Sequence, residues 1–373
     1  MNISLGEICS YRSEKANVSS IGSEDLYIST ESMAPNKGGI STASSIPGTG
    51  RVSFFRQGDT LVSNIRPYFK KIWHADKNGY CSNDILVFQP NDASTSDYLY
   101  WLLSGDEFFD YVMATSKGTK MPRGDKSAIM NYAVPSNDET VRRVIVSVMS
   151  PIQSKIEANT KLNDYLAQLC EAIAEKYCEA GEVRLGDICH QVTDKANCED
   201  AKLETYVSTE SLLQNKQGRQ QASSLPTTGK VTLYAAGDTL VSNIRPYFKK
   251  VWYAPFDGTC SGDVLVFRAN EAEDAPYLHA CLRQDRFFDH VMRGAKGTKM
   301  PRGDKKQMME FCVSSTCGAD DLSLMKAALN QIAANDAESA NLEDLRDTLL
   351  PKLMSGEIDV SKVDLTQLNS HLA

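Results

Sequence analysis

Two short polar segments hold the side chains that this chain could use for chemistry. The first runs from Ser63 to Lys71 (SNIRPYFKK) and places an amide, a guanidinium, a phenol and two ammonium groups close together. Asparagine can pair with adenine and arginine with guanine through two hydrogen bonds, and lysine neutralises phosphate. The second runs from Lys117 to Lys126 (KGTKMPRGDK), a basic loop whose glycines would let a phosphate approach the backbone. Together the two segments predict a nucleic-acid surface.

Both segments occur twice in the chain. Thr60–Trp73 returns as Thr239–Trp252 with one substitution, and Lys117–Lys126 returns unchanged as Lys296–Lys305, at an offset of 179 residues. This period is far longer than the ~20–50 residues of a solenoid repeat. The chain is therefore two copies of one large unit.

The alternative is that these segments are structural turns, kept alike only because the duplication is recent. Recency would have spared all parts of the two copies evenly. Phe88–Ser96 and Phe267–Ala275 have nevertheless drifted apart, while the identical blocks are polar and basic. This contrast favours a shared binding role.

The elements that position these segments follow from hydrophobic periodicity. Short apolar runs such as Asp84–Phe88 and Asp263–Phe267, bounded by turn residues, predict strands. Apolar residues between Tyr98 and Val112 recur at helical spacing. Each copy is thus expected to be a mixed α/β domain, and the fold class is α+β.

Each copy then ends in a long amphipathic segment in which apolar residues recur every three or four positions. In the first they are Ile145, Val148, Ile152, Ile156, Leu162, Leu166, Leu169 and Ile173, and in the second Leu322, Met325, Leu329, Ile332, Leu342, Leu345 and Leu349. Asn159 and Asn335 interrupt these series as register-setting polar residues would, so the spacing predicts an antiparallel coiled coil. The alternative is that each helix packs on its own globular domain. Pro151 and Pro351 are expected to bend or end the helices.

The resulting architecture has approximate two-fold symmetry within one chain. We expect domains at 1–138 and 182–318, long helices at 139–181 and 319–358, and a tail at 359–373. About 35 helical residues at ~1.5 Å rise would hold the two domains about 50 Å apart. That distance is about one to one and a half turns of B-DNA, the spacing at which dimeric readers place half-sites.

Composition and missing motifs argue against several other classes of protein. No apolar run approaches the ~20 residues of a membrane span, and the N-terminus lacks the features of a signal peptide, which predicts a cytoplasmic protein. The ten scattered cysteines suit buried apolar positions better than disulfides or zinc sites. The net charge of −8 argues mildly against nucleic-acid binding, although clustering of Lys and Arg matters more than the total. No phosphate-binding loop, dinucleotide fingerprint or methyltransferase motif is found, so an enzyme is not expected.

Three stretches of the chain resemble the specificity subunits of type I restriction–modification complexes. The stretch Leu342–Ile358 (LEDLRDTLLPKLMSGEI) is similar to that family's second helical region and its exit. The segments Tyr27–Ser32 (YISTES) and Gly118–Gly124 (GTKMPRG) look like parts of its target recognition domains. The resemblance covers essentially the whole chain.

The resemblance implies a division of labour. Each recognition domain would read one half of a bipartite site in double-stranded DNA, and the helices would dock two methyltransferase subunits. Those subunits would bring S-adenosylmethionine and methylate adenine, and restriction subunits would use ATP and magnesium. This chain would itself bind no cofactor or metal and would have no catalytic residue.

The residues carried over as DNA contacts come from the two repeated blocks. In the first copy they are Asn64, Arg66, Tyr68, Lys70, Lys71, Lys117, Thr119, Lys120 and Arg123, and in the second Asn243, Arg245, Tyr247, Lys249, Lys250, Lys296, Thr298, Lys299 and Arg302. The coiled-coil or partner residues are Ile156, Asn159, Leu166, Leu169, Ile332, Asn335, Leu342, Leu345 and Leu349.

Members of this family commonly carry two unlike recognition domains, whereas these copies share their polar blocks. We therefore expect both halves of the site to be the same or nearly so, in opposite orientations. Two other functions stay open at this point. One is a stand-alone DNA-binding regulator, and the other is a scaffold whose basic blocks bind an acidic protein.

Overall fold

A computed structural model describes residues 2–41, 43, 45–179 and 181–360. In the first copy the strands are β1 (Asn2–Ser4), β2 (Cys9–Tyr11), β3 (Lys15–Asn17), β4 (Tyr27–Ile28), β5 (Arg51–Phe55), β6 (Thr60–Ser63), β7 (Ile72–His74), β8 (Gly79–Cys81), β9 (Ile85–Pro90) and β10 (Ala133–Pro135). Its helices are α1 (Leu5–Ile8), α2 (Ser96–Ser104), α3 (Asp106–Ala114) and α4 (Lys126–Met130), with short 3-10 turns at Val18–Ser20, Pro67–Phe69 and Ala93–Thr95.

The long central helix α5 (Glu139–Glu179) follows, and then the second copy repeats the order of the first. Its strands are β11 (Val183–Arg184), β12 (Cys189–Gln191), β13 (Lys195–Asn197), β14 (Tyr206–Val207), β15 (Lys230–Tyr234), β16 (Thr239–Ser242), β17 (Val251–Tyr253), β18 (Gly258–Cys260), β19 (Val264–Ala269) and β20 (Cys312–Val313). Its helices are α6 (Leu185–Ile188), α7 (Ala275–Leu282), α8 (Asp285–Arg293) and α9 (Lys305–Met308), with 3-10 turns at Cys198–Asp200, Pro246–Phe248 and Ala272–Asp274, and α10 (Ala319–Ser355) ends the second copy.

The sheets have the same topology in both copies. One four-stranded sheet is antiparallel, in the order β2-β9-β6-β7 or β12-β19-β16-β17. The other has the order β3-β5-β8-β4 or β13-β15-β18-β14 and ends in a parallel pair. A two-stranded ribbon joins the start of each copy to its end, as β1-β10 or β11-β20. The α+β class and the internal duplication predicted from sequence are confirmed.

The uninterrupted apolar run in β9 has a direct structural reason. Successive strand residues point to opposite faces, and both faces of this sheet are covered. Ile85 and Val87 lie in one apolar cluster, whereas Leu86 and Phe88 lie in another that includes α2 and α3. Burial on both faces explains why this strand does not alternate apolar and polar residues.

The chain forms two compact units, and each unit contains one copy together with parts of both long helices. One unit holds the residues up to Ile156 together with those from Ala340 onward, and the other holds Glu157–Ser339. Pro151 and Pro351 were expected to bend or end the long helices; both lie inside α5 and α10, so they do not end them. A proline removes one helical hydrogen bond, and packing of the surrounding turns holds each helix together.

Within each unit the helix segments run antiparallel. In the second, Asn159 donates through Nδ2 to Ser339 Oγ at 3.2 Å, and Cys170 contacts the Met325 carbonyl. Asn335 donates to Asn163 Oδ1 at 2.7 Å and is buried. The two asparagines that interrupt the apolar series therefore bond across the helix pair, as expected of residues that fix register.

The apolar seam lies partly on different residues from those predicted. Leu169 and Leu345 are 40% and 45% exposed and do not lie between the helices. The small residues Cys170, Ala174 and Cys178 are fully buried instead, against the second copy's core. Leucine spacing predicted the helix correctly, but on α5 it selected Leu169, whereas the domain covers the neighbouring residue Cys170. The other predicted residues, Ile156, Leu166, Ile332, Leu342 and Leu349, are buried or partly buried.

Candidate nucleic-acid interface

The two repeated blocks lie side by side in each copy. Ile65 and Arg123 form an isolated antiparallel bridge, and the Arg66 N–H donates to the Pro122 carbonyl at 2.9 Å. In the second copy the same bridge joins Ile244 to Arg302. We call residues 64–71 with 117–126 the first basic surface, and residues 243–250 with 296–305 the second basic surface.

An unusual backbone conformation presents the centre of each surface. Arg66 and Lys70 flank the 3-10 turn with φ of 51° and 48°, and Arg245 and Lys249 do so with φ of 50° and 49°. Left-handed backbone costs an L-residue about 1–2 kcal/mol, so the fold must hold these positions. Strain of this kind is often kept where side chains have a function.

The strained turn leaves its aromatic side chain at the surface. Tyr68 is 48% exposed and Tyr247 47% exposed, and each ring lies tilted against the ring of the following phenylalanine. No ion pair is found for the guanidinium of Arg66 or Arg245 within the part of the chain that the structure describes. Arg66 is exposed, whereas Arg245 is half-buried and its Nε is buried without a hydrogen-bond partner among the described residues.

The second block of each surface is a narrow, exposed loop. Lys117, Thr119 and Lys120 are all exposed, as are Lys296, Thr298 and Lys299 in the second copy. Lys296 Nζ lies 3.0 Å from Asp304, and Arg302 lies 3.2 Å from Asp263. Exposed pairs of this kind contribute little stability, so a phosphate could replace the carboxylate as partner.

Arg123 lies in the equivalent pair with Asp84, at 3.1 Å, and Lys117 is bonded to Asp125. Asp125 also caps α4 by accepting the N–H groups of Ser127 and Ala128. The hydrogen bond from Lys117, followed by those from the helix N-terminus, lowers the pKa of the Asp125 carboxyl. The same carboxylate thus orders the loop and the short helix behind it.

Four of the predicted lysines face inward rather than toward a ligand. Lys70 pairs with Asp106 at 2.8 Å, and Lys71 donates to the Thr30 carbonyl at 2.7 Å. Lys249 pairs with Asp285 and Lys250 donates to Thr209 in the same way. Burial lowers the pKa of Lys71 and of Lys250. The structure therefore gives these lysines partners within the domain, through which they support the turn.

The predicted asparagines are also placed beneath the surface. Asn243 is buried, and the Oδ1 atoms of Asn64 and Asn243 are buried with no hydrogen-bond partner among the described residues. A Cβ on Gly124 would lie 2.8 Å from Asn64 Oδ1, so the loop passes directly over the amide. These amides are not presented as direct base contact would require, because the glycine loop covers them.

Residue spacing alone missed one exposed apolar side chain in each loop. Met121 is 45% exposed and Met300 43% exposed. Each precedes the Pro-Arg step that contacts the other block. The sequence showed that these methionines lie in a loop identical in both copies. A methionine in a basic segment nevertheless suggests no particular chemistry.

Within residues 2–360, leaving out 42, 44 and 180, no cluster of His, Cys, Asp or Glu side chains could hold a metal ion. In the same ranges no helix is long and apolar enough to cross a membrane. Eight of the ten cysteines are buried, Cys317 is partly buried and Cys312 is exposed.

The chain is similar in sequence to the specificity subunits of three type I restriction enzymes. The chain is 26% identical over 144 residues to the specificity subunit of the type I restriction enzyme HindI of Haemophilus influenzae, covering 37% of this chain and 31% of that protein. It is 22% identical over 312 residues to the specificity subunit of the type I restriction enzyme MjaIX of Methanocaldococcus jannaschii, covering 74% and 72%. The specificity subunit of EcoDI of Escherichia coli is 26% identical over 139 residues, covering 35% and 31%.

The match spans under a third of the length of the HindI and EcoDI subunits. Among solved structures, a type I restriction–modification S subunit from M. genitalium has 14% sequence identity and a TM-score of 0.49, covering 95% of this chain and 96% of that chain. No family model matches the chain.

Proposed function

We propose that the chain is a specificity subunit of a type I restriction–modification complex, and that it selects the DNA sequence on which the complex acts. Residues 1–138 and 182–318 are the two target recognition domains in this proposal, each reading one half of a bipartite site. The observation that carries it is the pair of basic surfaces, which have the same sequence, backbone angles and ion pairs in two copies of one fold.

The exposed members of each surface, together with the half-buried Arg245, would contact DNA. In the first copy they are Arg66, Tyr68, Lys117, Thr119, Lys120 and Arg123, and in the second Arg245, Tyr247, Lys296, Thr298, Lys299 and Arg302. Arginine suits the two acceptors of guanine, and loop lysines suit phosphate. Asn64, Lys70 and Lys71, with Asn243, Lys249 and Lys250, would hold the turn from below. An overall charge of −8 does not oppose this, because the contact needs only local positive potential.

The two halves of the site would be alike. Because the side chains that face DNA are the same in both copies, each domain would recognise the same or nearly the same bases. If the two domains read their halves in opposite orientations, the target would be an interrupted palindrome.

The long helices would dock two methyltransferase subunits. On α5, Leu162, Tyr165 and Leu169 lie at helical spacing and are exposed, with Tyr165 at 69%. Exposed apolar and aromatic side chains in a row commonly mark protein contacts. In this proposal the partners supply S-adenosylmethionine and methylate adenine, restriction subunits supply ATP-driven cleavage, and this chain performs no chemistry and acts in the cytoplasm.

Long-read methylation profiling tests the proposal. DNA from cells that express this chain with its neighbouring methyltransferase would be compared with DNA from cells lacking only this chain. The expected result is a new methyladenine motif of two short, matching halves with a fixed gap. An assembled complex that produces no new motif would contradict the function, whereas a motif with unrelated halves would contradict only the palindrome.

A further inference from the structure

One lysine in each copy, buried in the first and partly buried in the second, links the basic surface to a long helix. Lys37 has a side chain only 5% exposed, and its Nζ lies 3.1 Å from Asp347 on α10 and 3.2 Å from Asp106 on α3. A buried ammonium must be paired to be tolerated. Lys37 meets this need with one carboxylate from the helix and one from the domain.

The same lysine also holds the strained turn through the backbone. The Asn36 N–H donates to the Phe69 carbonyl at 2.8 Å, and the Lys37 N–H donates to the Lys70 carbonyl at 3.0 Å. The Lys70 side chain returns to Asp106, the carboxylate that Lys37 also binds. A continuous path therefore runs from the helix carboxylate through Lys37 to the turn that presents Arg66.

The second copy builds the same link from equivalent residues. Lys216 Nζ lies 2.7 Å from Glu171 on α5 and 2.8 Å from Asp285 on α8. The N–H groups of Asn215 and Lys216 donate to the Phe248 and Lys249 carbonyls at 2.8 Å and 2.9 Å. The link is thus present in both units, although its helix carboxylate is an aspartate in one and a glutamate in the other.

The backbone at these lysines is strained, and the surrounding sequence has changed between the copies. Asn36 and Lys37 have φ of 54° and 63°, and Asn215 and Lys216 have 55° and 64°. Their flanking residues differ, with Ala-Pro before the first pair and Leu-Gln before the second. A lysine in left-handed conformation is unfavourable where glycine would be easier, so the ammonium group itself accounts for its presence.

We propose that Lys37 and Lys216 are positioning residues for DNA recognition, which fix each basic surface against its long helix. They touch no DNA. By holding the turn through both side chain and backbone, they restrict Arg66 or Arg245 to one orientation. These arginines are then already ordered before DNA binds, so binding costs less conformational entropy. This inference rests on the proposed function and identifies residues outside the basic surfaces on which sequence discrimination depends.

The link can be removed without changing net charge. Lys37→Met with Asp347→Asn, combined with Lys216→Met and Glu171→Gln, removes both ammonium groups and their helix partners together. A matched control removes a different ion pair from each domain, Arg12→Met with Asp59→Asn and Arg268→Met with Asp238→Asn. The first pair joins Arg12, which follows β2, to Asp59 before β6 at 2.5 Å, and the second joins Arg268 on β19 to Asp238 before β16 at 2.7 Å. Neither pair belongs to a basic surface.

The assay measures the affinity of the full chain for two duplexes, one carrying the profiled methylation motif and one with that motif scrambled. We expect the link variant to lose at least about tenfold in the ratio of the two affinities, comparable to one good base contact. Scrambled-duplex affinity should stay within about twofold, because non-specific binding depends on surface charge. Conservative Lys37→Arg with Lys216→Arg should keep the wild-type ratio, since arginine retains the charge.

The outcomes separate the two levels of the proposal. A control variant that loses the ratio as much as the link variant, at equal loss of thermal stability, assigns the lysines a general structural role and overturns the inference. An unchanged ratio in the link variant also overturns it. A wild-type chain that binds both duplexes equally contradicts the proposed function itself.

Discussion

Replacing Arg66 and Arg245 together by alanine should abolish most sequence-specific DNA binding while leaving the fold intact. Both arginines lie at the start of the strained turn, and no ion pair is found for either guanidinium among the residues that the structure describes. Their loss therefore breaks no internal salt bridge, and the stability cost should stay near the ~0.5 kcal/mol typical of surface changes. Alanine keeps the same left-handed penalty that arginine already bears.

The expected loss in binding follows from one contact in each half-site. A base-reading arginine contributes about 1–3 kcal/mol, and the two sites belong to separate compact units, so their effects should add. The double variant should then lose about 2–6 kcal/mol of binding free energy, which corresponds to a dissociation constant roughly 30-fold to 20,000-fold larger. If the arginines contact phosphate instead, the loss should be equal on the motif and on a scrambled duplex, and the salt dependence should become shallower.

Fluorescence anisotropy with labelled duplexes measures both affinities at several salt concentrations. The matched control is Arg56→Ala with Lys230→Ala, which removes two exposed cations, one from each domain, outside the basic surfaces. This control should change binding little beyond its effect on net charge. Unchanged motif affinity in the arginine variant would refute the assignment of this turn, and equal losses in variant and control would reduce the effect to charge alone.

Four further predictions concern stability and accessibility. Burial raises the pKa of the Asp285 carboxyl, but the hydrogen bonds and charges of Lys216 and Lys249 outweigh burial and lower that pKa overall. A carboxyl whose pKa is lowered by folding stabilises the fold above its unfolded-state pKa, and this stabilisation is lost as the pH falls through the folded-state pKa. The stability cost of Lys216→Met, measured by denaturant unfolding, should therefore be largest near pH 7 and shrink below about pH 4. Gly303→Ala should cost about 1–3 kcal/mol in thermal unfolding, because its Cβ would lie 2.6 Å from a buried valine methyl, whereas Gly262→Ala, with nothing within 4 Å, should not. Asn335→Ala should cost about 1–3 kcal/mol, because it removes the hydrogen bond to Asn163 across the helix pair and the one from Gln331 on its own helix, and equal stability would show that the asparagine does not fix register. Iodoacetamide should label Cys312 first in the native chain, as mass spectrometry would show, and early labelling of the buried cysteines would contradict the packing.

Much of the fold could be predicted because its signals are local. The run from Ile85 to Phe88 forms a strand, and the long apolar series form helices. The duplication also gave the two copies the same elements. Which face of α5 is buried could not be predicted from leucine spacing, since Cys170 and Ala174 are buried by the particular domain that packs on them. Small side chains give weak hydrophobic signals although they allow close approach.

Residue type and repetition located the candidate site but did not predict the role of each member. Lys70 and Lys71 differ from Lys120 only in what lies beside them, Asp106 and the Thr30 carbonyl, which are distant in sequence. An ammonium group that finds an internal acceptor supports the fold, whereas one on an exposed loop remains available to a ligand. This distinction depends on tertiary contacts, so the sequence marked the lysines without separating them. Lys37 was missed for the same reason, because it stands alone in a segment without basic neighbours.

The two basic surfaces have the same sequence, but some contacts behind them differ between the copies. Arg283 donates to Glu171 at 2.9 Å and to the Lys216 carbonyl in the second copy, whereas Ser104 occupies the equivalent position in the first. The second surface is therefore tied to its helix by more contacts than the first, while the exposed side chains are the same. Any difference in how strongly the two halves bind would then arise from rigidity, and weakening the link should affect the first domain more than the second, because Arg283 still holds its helix carboxylate when Lys216 is replaced alone.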